Sequence, residues 1–243
     1  MNTKQTSFVG SETQIDQTPH DSEKKIIIVM GPAGAGKGTN IGELAKYHKK
    51  PVAVDKDTFE PIHNADCSID ETRLLFLPKI HFALSMTTRD MRPGEKNGET
   101  YYFVDEKEFQ ERKDNGEFIA PTLRAGKQYG ILKTELRKPF VLREMDVPGI
   151  EVFLKSEFRN RLQIVAIVPE SIKKLEKRIT DRAPISKKEL IERLELAEKE
   201  MEYIEAHKNI MNVIETPEGE QEYIYKNFRN TVFGLTPDIK KVL

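Results

Sequence analysis

Short apolar runs alternate along the chain with longer stretches in which apolar residues return every three or four positions. KIIIVM, at 25–30, is β-branched and apolar throughout, the pattern of a strand buried on both faces of a parallel sheet. Similar runs predict strands near 80–85, 140–145 and 162–168. Helical spacing predicts helices near 37–48, 107–115, 150–158, 171–182, 187–208 and 218–231. Ile172, Leu175 and Ile179 form the apolar stripe of one helix, with Arg178 and Arg182 together on a face beside it. Pro184 stops that helix, and Ser186 with Glu189 makes the capping box that opens the next, carried on by Leu190, Leu194, Ala197, Met201 and Ile204. Strands alternating with helices predict an α/β fold, a parallel sheet flanked by helices on both faces. Residues 86–130 break the pattern: they are shorter-ranged and turn-rich, with TYYFV at 100–104, and predict a small antiparallel insert.

The first strand runs straight into GPAGAGKGT, Gly31 to Thr39, ahead of a helix-compatible stretch. The G-x-x-x-x-G-K pattern is complete in Gly31, Gly36 and Lys37, with Gly38 where serine or threonine is usual and Thr39 one place later. Ala33, Gly34, Gly36, Gly38 and Thr39 then supply backbone N–H groups to phosphate oxygens, the helix N-terminus adds partial positive charge, and Lys37 reaches the β- and γ-phosphates. The ligand expected on this loop is a nucleoside triphosphate.

Composition narrows what else the chain can be. Its 243 residues are 37% hydrophobic and 33% charged, with a formal net charge of −1, so no global basic excess points to nucleic acid or a membrane surface. The single cysteine, Cys67, rules out an internal disulfide and suggests a reducing, cytoplasmic setting. No apolar run is long enough to span a membrane. Residues 1–23 are polar and read as a disordered tail.

SMTTRDMRPGEKNGETYYFV, at 85–104, carries a second anion-binding signature. Arg89 and Arg92 bind phosphate as planar forks, and serine and tyrosine hydroxyls add neutral bonds. Two anion sites in one domain suggest phosphate transfer between two bound molecules.

These stretches, with NGEFI at 115–119, QYG at 128–130, DVPG at 146–149 and RITDRAPISKKELIERL at 178–194, resemble guanylate kinases of the P-loop nucleoside monophosphate kinase group. The resemblance runs from about residue 24 to about residue 233 in family order. It implies a P-loop core (24–85, 131–177 and 195–243), an acceptor-binding insert (86–130) and a helical lid (178–194). It also implies ATP and Mg²⁺ as cofactors and a nucleoside monophosphate, GMP or dGMP, as acceptor. On the matching positions, the acceptor is held by Ser85, Arg89, Arg92, Tyr101 and Tyr129, with Asp146 on the base. Lys37, Arg178, Arg182 and Arg193 act on the transferring phosphate, and Glu144, helped by Thr39, lies near the metal. The expected partners are small molecules, with neither nucleic acid nor membrane, and the expected assembly is a monomer or homodimer.

Three departures bear on the acceptor. Where the family has a glutamate and a serine that read guanine, this chain has Ala120 and Ile131, and Glu95, Glu117 and Arg124 are candidate substitutes. The segment between the first helix and Ser85 is longer than the family's. Its PVAV suggests an extra short strand ending at Asp55 and Asp57, read as a surface insertion with solvated acids. A kinase for another nucleotide or phosphorylated small molecule, and a non-catalytic binding module, stay open as alternatives.

Overall fold

The computed structural model describes residues 24–47, 52–55 and 74–235. In chain order the strands are β1 (Lys25–Met30), β2 (Val52–Asp55), β3 (Leu74–Leu77), β4 (His81–Phe82), β5 (Ser85–Thr87), β6 (Tyr102–Phe103), β7 (Phe118–Arg124), β8 (Lys127–Leu132), β9 (Phe140–Glu144), β10 (Leu162–Pro169) and β11 (Met211–Thr216). The helices are α1 (Lys37–Tyr47), α2 (Glu106–Asp114), α3 (Lys133–Leu136), α4 (Val147–Leu154), α5 (Ile172–Arg182), α6 (Lys187–Ala206) and α7 (Gln221–Phe233).

The central sheet has the order β11-β10-β1-β9-β4, and every pairing in it is parallel. Because β1 is central, its alternate side chains feed two cores. Ile26, Ile28 and Met30 pack on Ile150 and Phe153 of α4 and Ile204 of α6. Ile27 and Val29 pack on Leu44 of α1 and on Ile224, Phe228 and Val232 of α7. This is the α/β fold that the alternating pattern predicts.

A second sheet, β6-β5-β8-β7, spans the insert. It is mixed: β5 pairs parallel with β6 and antiparallel with β8, and β7 with β8 form a hairpin bulged between Ile119 and Thr122. Phe109 of α2 stacks on Phe118 at 4.5 Å between ring centroids, giving this sheet a small core with Met86. The expected extra strand at PVAV is present as β2, antiparallel to β3. Asp57, Cys67 and residues 1–23 lie outside the described residues.

Several element boundaries differ from the sequence expectation, among them the start of the last helix, at 221 rather than 218. The strand expected near 80–85 is divided into β4, in the central sheet, and β5, in the second. The helix expected from 150 begins at 147, because the Asp146 side chain caps it and Pro148 sits in its first turn, where a missing N–H costs nothing. β11 was not expected at all.

Candidate functional site

The loop between β1 and α1 is shaped by its neighbours. Gly31 has φ 130°, and a Cβ there would collide with the Ile167 carbonyl oxygen of β10, so only glycine fits. The Lys37 ammonium donates to the Gly31 and Pro32 carbonyls at 2.5 and 3.1 Å and lies 3.4 Å from the Glu144 carboxylate. Lys37 is thus folded over its own loop, with Glu144, at the end of the adjacent strand β9, as its counter-charge. Thr39 is exposed in the first turn of α1.

The second sheet gathers the expected acceptor residues around two tyrosines. Tyr101 and Tyr129 meet edge to face, 6.1 Å between centroids. The Arg89 guanidinium lies 5.5 Å from the rings of both Tyr101 and Phe103. Its Nη2 makes a bidentate pair with Glu95 at 2.8 and 2.9 Å. This contact holds the Glu95 carboxyl below its usual pKa, aided by the Arg92 backbone N–H, which donates to Glu95 at 2.7 Å. Ser85 is buried, and its hydroxyl accepts from Arg143 Nη2 at 2.5 Å.

The three lid arginines divide. Arg178 donates to the hydroxyl and carbonyl of Thr216 at 2.8 and 2.6 Å, pinning α5 to the end of β11. Arg193 of α6 pairs with Glu189 at 2.7 Å and is half-exposed. Arg182 ends α5 in solvent.

A cavity of about 670 Å³ joins these parts. Gly31, Ala33 and Lys37 come to it from the loop, Ser85, Tyr101 and Tyr129 from the second sheet, Glu144 and Asp146 from the end of β9, and Arg193 from α6. Arg89, Arg92, Arg178 and Arg182 are not in its lining. Ala120 and Ile131 do line it, so the two positions that lack polar base readers face the same space. Of the candidate substitutes, Glu95 is engaged by Arg89 and Glu117 by Arg112 at 3.0 Å. Only Arg124 lines the cavity, paired with Asp146 at 2.6 Å.

Two charged lining residues were missed from the sequence. Glu200 stands seven positions after Arg193 on α6, so helical spacing put it on the cavity face. Burial pushes its carboxyl above the usual range; Lys37 opposes this, while Asp146 and Glu144 reinforce it. Arg143 precedes Glu144 at the charged end of the strand FVLRE, and no spacing rule marks it.

Among the described residues no helix is long and apolar enough to cross a membrane. No group of three or more His, Cys, Asp or Glu side chains is placed to hold a metal ion among them. A family model described as guanylate kinase matches residues 74–215. The chain is 31% identical over 186 residues to a guanylate kinase of Trichormus variabilis, covering 74% of this chain and 78% of that one. It is 34% identical over 175 residues to a guanylate kinase of Prochlorococcus marinus, covering 70% and 78%, and 28% identical over 204 residues to one of Schizosaccharomyces pombe, covering 82% and 86%. The crystal structure of guanylate kinase from Anaplasma phagocytophilum shares the fold, with a TM-score of 0.51 at 23% identity over 86% of this chain and 84% of that one.

Proposed function

The chain belongs to the guanylate kinase family, and from that premise we propose that it transfers the γ-phosphoryl group of ATP to GMP, giving ADP and GDP. The observation that carries this reading is the single cavity that unites Lys37 of the phosphate loop, Ser85, Tyr101 and Tyr129 of the second sheet, and Arg193 of α6. We take as its working parts a core at 24–85, 131–177 and 195–243, an acceptor insert at 86–130 and a lid at 178–194.

ATP lies with its phosphates on the 31–39 loop, and the GMP phosphate faces Ser85, Tyr101 and Tyr129, with Arg89 packed against Tyr101 and Arg92 brought in on binding. An oxygen of the GMP phosphate attacks the γ-phosphorus in line. The new P–O bond forms as the bond to the β-bridging oxygen breaks, and its electron pair leaves with ADP. The protein does no covalent chemistry. It holds two anions that repel in water and offsets the charge developing between them. Lys37 exchanges its loop carbonyls for phosphate oxygens, and Arg193, with Arg178 and Arg182, approaches as the lid closes and water leaves.

The site suits Mg²⁺. Glu144 offers a half-exposed carboxylate beside Lys37, and Thr39 a hydroxyl in the first helical turn; few protein ligands are expected of an ion held mainly by phosphates and water. Held there with ATP, that ion would supply electrostatic neutralisation of the transferring phosphate. The test is coupled ADP release with ATP·Mg²⁺ against GMP, dGMP, AMP, CMP, UMP and dTMP, with Lys37→Ala as control. Turnover of GMP or dGMP above the rest, lost in the control, is the expected result; a flat response to both with activity on another acceptor overturns the choice.

A further inference from the structure

Arg143 is a half-buried cation that, among the described residues, has no carboxylate paired with it. It stands on β9, and its guanidinium reaches across to the β4–β5 junction. There Nη1 donates to the Ala83 carbonyl at 2.7 Å and Nη2 to the Ser85 hydroxyl at 2.5 Å. Both acceptors are neutral. Nε is buried with no partner. Two of five N–H donors are therefore used in these bonds, and among the described residues no carboxylate forms an ion pair with Arg143.

That arrangement is costly in a finished interior. Buried guanidinium groups are normally neutralised by a carboxylate and saturated with acceptors. Arg89 shows the ordinary solution nearby: Glu95 binds it bidentately. Arg143 has no such partner, yet it lines the cavity beside Ser85, Tyr101 and Ile131. Burial holds its pKa below the usual value; Tyr101, Glu135 and Asp146 act against that shift and Arg124 adds to it.

We propose that Arg143 binds an oxygen of the phosphate-accepting nucleotide, its phosphate first of all, adding a third arginine to the two that the sequence motif marks. The proposal rests on the reading of this cavity as the acceptor site. A phosphate supplies what the guanidinium lacks: full negative charge and several acceptor oxygens in fork geometry. A carbonyl oxygen of the base offers the same acceptor chemistry without the charge.

Binding of three probes without ATP, by titration calorimetry, separates the two sources. The probes are GMP, guanosine, and 2-aminopurine riboside 5′-monophosphate, which keeps the phosphate but lacks the 6-oxo group. The proteins are wild type, Arg143→Met and Arg143→Lys, each checked by thermal unfolding. Expected is a loss in Arg143→Met of about 10- to 100-fold for both nucleotides, the scale of a hydrogen bond to a charged group. Guanosine should change less than about twofold, and Arg143→Lys should recover part of the loss. A loss confined to GMP and guanosine also supports the proposal and assigns the oxygen to the base. Equal loss for all three probes, or no loss, overturns it. Wild-type protein that binds none of the probes removes the acceptor reading itself, a result distinct from a variant that fails to differ.

Discussion

Arg124 Nη2 and Asp146 Oδ2 meet at 2.6 Å across the cavity, tying the tip of the β7–β8 hairpin to the central sheet. The same carboxylate caps α4, its Oδ1 accepting from the Gly149 N–H at 3.2 Å. Asp146 therefore has two jobs that substitution can separate. The ion pair is solvent-exposed, and such pairs contribute between zero and about 1 kcal/mol. Arg124→Ala should leave the unfolding temperature nearly unchanged while raising KM for the acceptor severalfold with kcat kept, because the hairpin loses its anchor. Asp146→Ala should cost a further ~1 kcal/mol for the lost cap, whereas Asp146→Asn keeps the cap and loses only the ion pair. Urea unfolding and steady-state kinetics on the three variants check this; equal destabilisation by Arg124→Ala and Asp146→Ala contradicts it.

The lid arginines should separate in the same way. Arg178 is bound to Thr216, so Arg178→Ala should lower both stability and turnover, and Thr216→Val should reproduce the stability loss. Among the described residues Arg193 has only its helix neighbour Glu189 as partner, and it lines the cavity. Arg193→Ala should leave the unfolding temperature within experimental scatter and cut kcat by about 10²- to 10³-fold, the scale of removing one preorganised charge donor. A lower unfolding temperature for Arg193→Ala, or unchanged kcat, refutes the division.

Much of this architecture was legible because its signals are local. KIIIVM and the glycine loop must meet at a strand-to-helix turn, and the S-x-x-E box at Ser186 fixes the start of α6. β11 was not legible: its Asn212, Val213 and Glu215 are exposed at the sheet edge, so MNVIET has neither the continuous apolar run of a central strand nor strict alternation. The DVPG turn hid a helix start, since proline and glycine signal a turn and also suit a capped first turn. Arg143 was invisible for another reason. Which way a cation at the charged end of a strand points depends on what the second sheet places above it, and that is tertiary information.

Glu135 makes the junction between the two sheets sensitive to acid. Its carboxylate is buried and receives His81 Nε2 at 2.7 Å, Lys138 Nζ at 2.9 Å, the Leu84 N–H at 3.3 Å and the Tyr102 hydroxyl at 3.3 Å. Burial alone raises its pKa, but the bonds from Lys138, His81 and Leu84 outweigh that and hold it below the usual value. A folded pKa below the unfolded one gives stability that is fully present above the unfolded value, near 4.3, and lost as pH falls through the folded value. Glu135→Gln should cost about 1–3 kcal/mol at pH 7, through the unmatched partners it leaves. The gap between wild type and variant should narrow as pH drops below about 4. Urea midpoints from pH 7 to pH 3 test it; a gap that widens in acid reverses the sign.

The β7–β8 hairpin turns on two residues, Ala125 and Gly126, between the paired Arg124 and Lys127. Both have positive φ, 48° and 74°, the geometry of a type I′ turn. Gly126 adopts it freely, but Ala125 carries a Cβ in the left-handed region, a strain of about 1–2 kcal/mol for an L-residue. Asparagine tolerates that conformation and is favoured at the first position of such turns. Ala125 is exposed, so the larger side chain meets no packed neighbour. Ala125→Asn should therefore stabilise the protein by about 0.5–1 kcal/mol, visible as a higher urea midpoint with unchanged slope. The hairpin also carries Arg124 to Asp146, so a firmer turn should lower KM for the acceptor slightly and leave kcat alone. A lower midpoint would mean that the turn is not held as described.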